Sequence, residues 1–262
     1  MGYKLAEDVK PQVVLLIIAT IITIALWFIP FADYLVYPIR LFVTFVHEGS
    51  HAVVAILTGG AVQSLTIASD GSGAVYSAPS GWFGQVLTSS AGYLGTTVFG
   101  VMMLVLIRRA VSPHKILVAS GAFVGTMTLV FGVLSPLFHF LSLNVAISSV
   151  LFTIVAGFLL AGGLFALGRF ASYKVASFAV AFLAIQCLLN SLSDLKTVFF
   201  VNAPVMGSNI ENDAANMANA TGIPGILWVV IWIVISVVMI SLGLRLYAVA
   251  KKPDSIDSVF ED

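Results

Sequence analysis

The sequence has little charge. Of its 262 residues only 12 are Lys or Arg and 12 are Asp or Glu, 9% together, and the formal net charge is zero. No basic block stands out, so neither the balance of charge nor its patterning points to a nucleic-acid partner. Cysteine is almost absent as well. Cys187 stands alone, which excludes an internal disulfide and a paired-cysteine metal site and leaves the redox compartment open. Histidine and glutamate are held to four each. There is no repeat of fixed period and no linker long enough to separate two domains, so residues 1–262 read as one domain.

What the chain does have is hydrocarbon. Hydrophobic residues make up 60% of it and the mean hydropathy is +1.07, a mix foreign to soluble domains. Apolar stretches long enough to span a bilayer fall at roughly residues 11–30, 35–58, 81–107, 116–138, 145–167, 175–200 and 223–248. The expected fold is therefore an all-α polytopic membrane protein of about seven transmembrane helices, multi-pass and integral, with the cell membrane as its expected site. Lys4 and Lys10 precede the first stretch in the manner of a signal peptide, but no small-residue cleavage pattern follows "LWFIPFADYL", and the stretch is kept as a membrane helix.

Two segments break the helical pattern. Residues 61–77, "AVQSLTIASDGSGAVYS", alternate apolar and small polar residues on both sides of the turn cluster Ser69 to Gly73, which reads as a β-hairpin. Bare in lipid its edge amides would go unpaired, so it must lie at the interface or be shielded by protein. Residues 201–222 are rich in Asn, carry Glu211 and Asp213 and no Lys or Arg, and read as a surface loop with a short helix. The sequon "NAT" at Asn219 is a three-residue pattern in an Asn-rich stretch and carries no weight.

The chemistry concentrates in "FVHEGSHAVVAILTGG", residues 45–60. His47, Glu48 and His51 form HExxH in a segment whose apolar content predicts a helix. The i, i+4 spacing puts both imidazoles on one face about a turn apart, within reach of one metal ion. Glu48, one position round, is placed to take a proton from an attacking water without occupying the metal. With four His and four Glu in the chain, chance yields an HExxH about once in a thousand such sequences. Ionisable groups at membrane depth cost about 2.5 to 3.5 kcal/mol each on insertion scales and are functional by default. The glycines of "SSAGYLGTTVFG", Gly92, Gly95 and Gly100, read as helix-packing positions without chemistry.

A catalytic zinc takes three protein ligands and keeps a position for water. His114 and His139 sit beside prolines at apparent helix ends and read as interfacial. The third ligand is expected at Asp194 in "LLNSLSDLKTVFF", a carboxylate near the end of the sixth apolar stretch with Asn190 one turn before it. The alternative for Asp194 is a surface partner of Lys196. In a seven-helix count the second and sixth stretches run in the same direction. The two histidines then lie about 14 residues into theirs and Asp194 about 19 into its own, an offset of roughly 7 Å.

An HExxH early in a membrane helix, followed by "LTGG", a hairpin, the Gly-rich helix "SSAGYLGTTVFG" and a distant membrane aspartate, resembles the site-2 protease family of intramembrane zinc metallopeptidases, in particular its compact peptidase-like members. The resemblance extends to "NSLSDL" and to "SNIENDAANMANATGIPGILW", where that subgroup carries an Asp-Ala pair after Ser or Asn. It implies Zn²⁺ held by His47, His51 and Asp194, Glu48 as general base, and a membrane-protein substrate cleaved within its transmembrane segment. The better-known branches place the third ligand in an Asp-Gly motif, which "SLSDLK" lacks, so Asp213 is the other candidate. The hairpin is placed to pair edge to edge with an unwound substrate strand. Two other function classes stay open: a catalytically silent relative that binds membrane proteins, and a transporter, for which the chain lacks inverted repeats.

Orientation is a point of tension. If all seven stretches span, basic residues divide nine to three, with Arg40, Arg108, Arg109, Lys115, Arg169, Lys174, Arg245, Lys251 and Lys252 on one side. The positive-inside rule then puts the N-terminus and hairpin outside, whereas the resemblance implies the reverse.

Overall fold

The structure, a computed structural model, describes residues 10–26, 29, 31–139, 146–202 and 212–248. Nine α-helices and one hairpin make up the described residues. In chain order they are α1 (Lys10–Leu26), α2 (Ala32–Leu57), β1 (Ala61–Ile67), β2 (Gly73–Ala78), α3 (Gly81–Arg108), α4 (Pro113–Met127), α5 (Ser135–Phe138), α6 (Ile147–Phe170), α7 (Tyr173–Asn202), α8 (Asp213–Thr221) and α9 (Gly225–Ala248). A π-helical turn, Thr128–Leu134, joins α4 to α5 without a break in the span.

Six helices among the described residues are long and apolar enough to cross a membrane: Tyr34–Leu57, Gly81–Arg108, Pro113–Phe138, Ile147–Phe170, Tyr173–Phe200 and Gly225–Tyr247. The protein is an integral, multi-pass membrane protein. The expected seventh span falls on α1, which is helical over 17 described residues and is not among the six. Arg40, counted above with the loops, lies inside α2. The nine-to-three charge division therefore does not describe the loops of this fold and gives no orientation.

Helix α3 is the hub, packing against α2, α7, α8 and α9, while α4 and α6 form the neighbouring pair. The core runs through the inner faces of α2 and α7 with Phe42, Phe45, Val46, Ala184 and Leu188. Apolar rows such as Leu151, Val155 and Leu159 on α6 and Val234 and Val238 on α9 face outward, as lipid-facing helix surfaces do.

The hairpin is launched by the end of α2. Leu57 is followed by Thr58 and by Gly59 at φ +80°. The Gly59 and Gly60 amides donate back to the carbonyls of Ile56 and Ala55 at 3.0 and 2.8 Å, a Schellman cap that needs a glycine in the left-handed region. The chain so reversed runs back beside α2. Tyr37 Oη donates to the Ser69 carbonyl at 2.6 Å, Arg40 Nη2 to Asp70 at 2.8 Å and Thr44 Oγ1 to Gly71 at 3.0 Å. The Ser72 hydroxyl and amide both donate to the Asp70 carboxylate and hold it below the usual carboxylate range.

The hairpin thus sits among the spans, and its two edges differ. β1 is shielded: Thr153 Oγ1 on α6 accepts from the Ile67 amide at 2.6 Å and donates to the Ser149 carbonyl at 2.6 Å. Ser135 Oγ shares its proton between the carbonyls of Val62 and Gln63 at 2.8 and 2.7 Å. Among the described residues β2 pairs with β1 alone, antiparallel, with a bulge that leaves Gln63 unmatched between Val62 and Ser64. Its outer edge faces a cavity. Replacing Thr153 by Val strands the buried Ile67 amide, and we expect a loss of about 1–3 kcal/mol read from thermal unfolding in detergent. The exposed hydroxyl of Thr197, changed to Val, shifts stability by less than about 0.5 kcal/mol.

Candidate metal centre

His47, Glu48 and His51 lie in the second half of α2, later in the helix than the resemblance implies, and the i, i+4 spacing brings the two imidazoles together. Glu48 is 7% and His51 6% exposed. The His51 ring donates from Nδ1 to the Thr88 carbonyl at 2.6 Å, which fixes the tautomer and leaves a lone pair on Nε2. That Nε2 lies 3.2 Å from Nε2 of His47. Tyr93 packs edge-on against His47 at 4.8 Å and is itself backed by Trp232 at 5.5 Å.

The third member arrives from α8. Asp213 Oδ2 lies 3.3 Å from His47 Nε2 and 3.2 Å from His51 Nε2. The local sequence explains its placement. Asn212 caps the helix by accepting from the Ala215 amide at 2.9 Å, which makes Asp213 the first helical residue, where the helix dipole favours a carboxylate. Gly222, at φ +72°, ends the helix. Two indoles then pin it: Trp82 Nε1 donates to the Ala220 carbonyl and Trp228 Nε1 to Thr221 Oγ1, both at 2.9 Å. Burial opposes the charge on Asp213, but His51 and His47, when protonated in place of a bound cation, outweigh it and hold the carboxyl well below the usual range.

Among the described residues, His47, His51 and Asp213 are the group that could hold a metal ion, with ligand atoms all within 4.8 Å of one another. Their mutual separations of 3.2–3.3 Å match the edge of a tetrahedron whose bonds are about 2.0–2.1 Å, roughly 3.3 Å. Three electron-rich atoms meet at one point; a single proton serves two of them, whereas a cation serves all three. The residues present therefore fit a zinc ion.

The expectation that Asp194 completes this triad is corrected by the geometry. Asp194 lies on α7 and lines an adjoining cavity with Arg40 and Asn190; among the described residues no ion pair joins it to Lys196. The depth comparison treated the helices as parallel rods, whereas the carboxylate at the histidines comes from a short helix folded back into the bundle. Sequence reasoning also missed Gly92. A β-carbon there would stand 2.2 Å from His47 Nε2 and 2.4 Å from His51 Nε2, so this glycine makes room for the imidazole nitrogens themselves. His114, read above as interfacial, bonds to the Ala171 carbonyl at 3.1 Å and lies outside the group that could hold a metal.

A cavity of about 590 Å³ opens from this centre, bounded by β2 from Gly73 to Ser77, by Gln85 and Thr88 of α3, and by Asn216 of α8. The bulged Gln63 lines it too. A family model described as Peptidase M50B-like matches residues 16–243.

The chain belongs to this family, that of the site-2 proteases. No curated protein and no solved structure matches it. M50 peptidases are membrane-embedded metallopeptidases and generally zinc-dependent, in keeping with the histidine pair on a spanning helix. In this M50B-like chain Gly92→Ala should weaken zinc binding about 100-fold, measured by competition with a chelator, while helical content by circular dichroism is unchanged.

Proposed function

We propose that this protein is a zinc-dependent intramembrane endopeptidase that cleaves transmembrane segments of membrane proteins, with His47, His51 and Asp213 as ligands and Glu48 as general base. The observation that carries the proposal is the convergence of three donor atoms at tetrahedral-edge spacing beside a buried glutamate and an unpaired strand edge. Zinc bound there supplies Lewis-acid polarisation of the scissile carbonyl and of a water.

The chain's own residues do the rest. Glu48 lines the cavity without belonging to the triad, so its carboxylate is free to accept a proton from water and pass it to the leaving amine. The Thr88 carbonyl holds His51 in the tautomer that presents Nε2. A helical substrate keeps its carbonyls in i to i+4 bonds and must unwind before attack. The outer edge of β2 offers the unwound segment main-chain partners in place of those it gives up, and Gly73 brings that edge against the Glu48 side chain.

Glu48→Gln should keep stoichiometric zinc and lower cleavage of a reconstituted single-span substrate by about 10²- to 10⁴-fold. Zinc content by mass spectrometry and cleavage by gel are the readouts. Undiminished cleavage in this variant would remove Glu48 from the chemistry.

A further inference from the structure

A second cavity, of about 260 Å³, adjoins the metal centre on the side of the hairpin tip. His47, Glu48, Gly73 and Tyr93 line both cavities, so the two form one groove that passes the metal. Its floor is α2 and one wall is the hairpin; the other wall is α3 and α8 at one end and α7 at the other. A strand paired along β2 and running past Glu48 enters the second cavity.

The polar groups there are unequal. Thr44 Oγ1 is spent on the carbonyls of Arg40 and Gly71, and Ser72 Oγ on Asp70. Both hydrogens of Asn190 go to Gln186, to its carbonyl at 2.9 Å and to Oε1 at 3.2 Å, which leaves Asn190 Oδ1 as an acceptor. Asp194 has no hydrogen bond or ion pair among the described residues. Arg40, the cation that lines this cavity, donates to the Asp70 carbonyl at the tip at 2.8 Å; it makes no ion pair with Asp194, although its charge and that of a protonated His47 act on that carboxylate across the cavity. The groove beyond the metal centre therefore ends in two acceptors without a hydrogen-bond donor among the described residues, Asn190 Oδ1 and the Asp194 carboxylate, both on a helix long and apolar enough to cross a membrane.

We infer that this cavity is a substrate subsite for a basic side chain, with Asp194 and Asn190 as its acceptors, about two to three residues past the scissile bond toward the hairpin tip. The inference rests on the protease reading above and assigns Asp194 to substrate selection instead of metal binding.

The test uses the zinc-loaded full-length protein in nanodiscs and a set of single-span peptides. Each peptide has the same apolar core and helix-weakening Asn-Gly pair, with Lys, norleucine or Glu placed at successive positions. Cleavage sites are mapped by mass spectrometry and kcat/KM is compared within each enzyme. Lys should be favoured over norleucine about tenfold at one position in that interval, with Glu disfavoured. The preference should shrink to within about twofold in Asp194→Asn and turn toward Glu in Asp194→Lys. Cleavage of all three peptides by wild type at equal rates overturns the subsite and leaves the protease standing. A wild-type preference for Lys that survives unchanged in both variants also overturns it. Failure of zinc-loaded wild type to cleave any peptide sinks the protease reading, and the subsite with it.

Discussion

Hydrocarbon offers no partner to an amide, a carbonyl or a charge, and the rest of this structure follows from that constraint. A two-stranded hairpin among membrane spans persists only if each edge is bonded or faces a polar cavity. β1 is answered by hydroxyls, Thr153 on the Ile67 amide and Ser135 on the Val62 and Gln63 carbonyls. Among the described residues nothing bonds to the outer edge of β2, which lies along the groove beside the histidines. An unsatisfied edge inside a membrane is costly, and the one place it can be tolerated is a polar cavity. The proposed activity uses the same asymmetry, since a substrate helix that unwinds in lipid meets the same need for partners.

The candidate metal centre is assembled from two kinds of local order. Helix α2 brings His47 and His51 together through periodicity alone. Asp213 depends on chain reversal: an Asn cap before it, a left-handed glycine after the helix, and two tryptophan indoles bonded to its last turn. Gly92 then lets α3 approach closely enough for both imidazoles to face the same point. Each of these supports helps hold a candidate ligand in register.

Much of this was legible beforehand. The spans follow from apolar runs, the hairpin from the Ser69 to Gly73 turn cluster between alternating strands, and the histidine pair from its spacing. What was not legible has a common cause. Periodicity describes a residue's own helix and says nothing about what folds back against it. Asp194 sits in an apolar run and so looked like the ligand, whereas Asp213, in a polar segment without periodicity, stood only as the other candidate that the family resemblance offered. The one local sign of its placement, an Asn followed by an Asp at a helix start, concerns capping and not metal. Gly92 was read as a contact between helices because a sequence does not show that the neighbouring atoms are imidazole nitrogens. The first apolar run was long enough on paper, but its described helix is 17 residues.

The central claim is that α8 and not α7 completes the metal site. X-ray absorption at the zinc edge tests it on zinc-loaded Asp213→Cys and Asp194→Cys proteins, since a thiolate ligand adds a sulfur shell at about 2.3 Å that nitrogen and oxygen ligands do not produce. The account predicts that shell in Asp213→Cys and a spectrum like wild type in Asp194→Cys. A sulfur shell in Asp194→Cys, with none in Asp213→Cys, would contradict it.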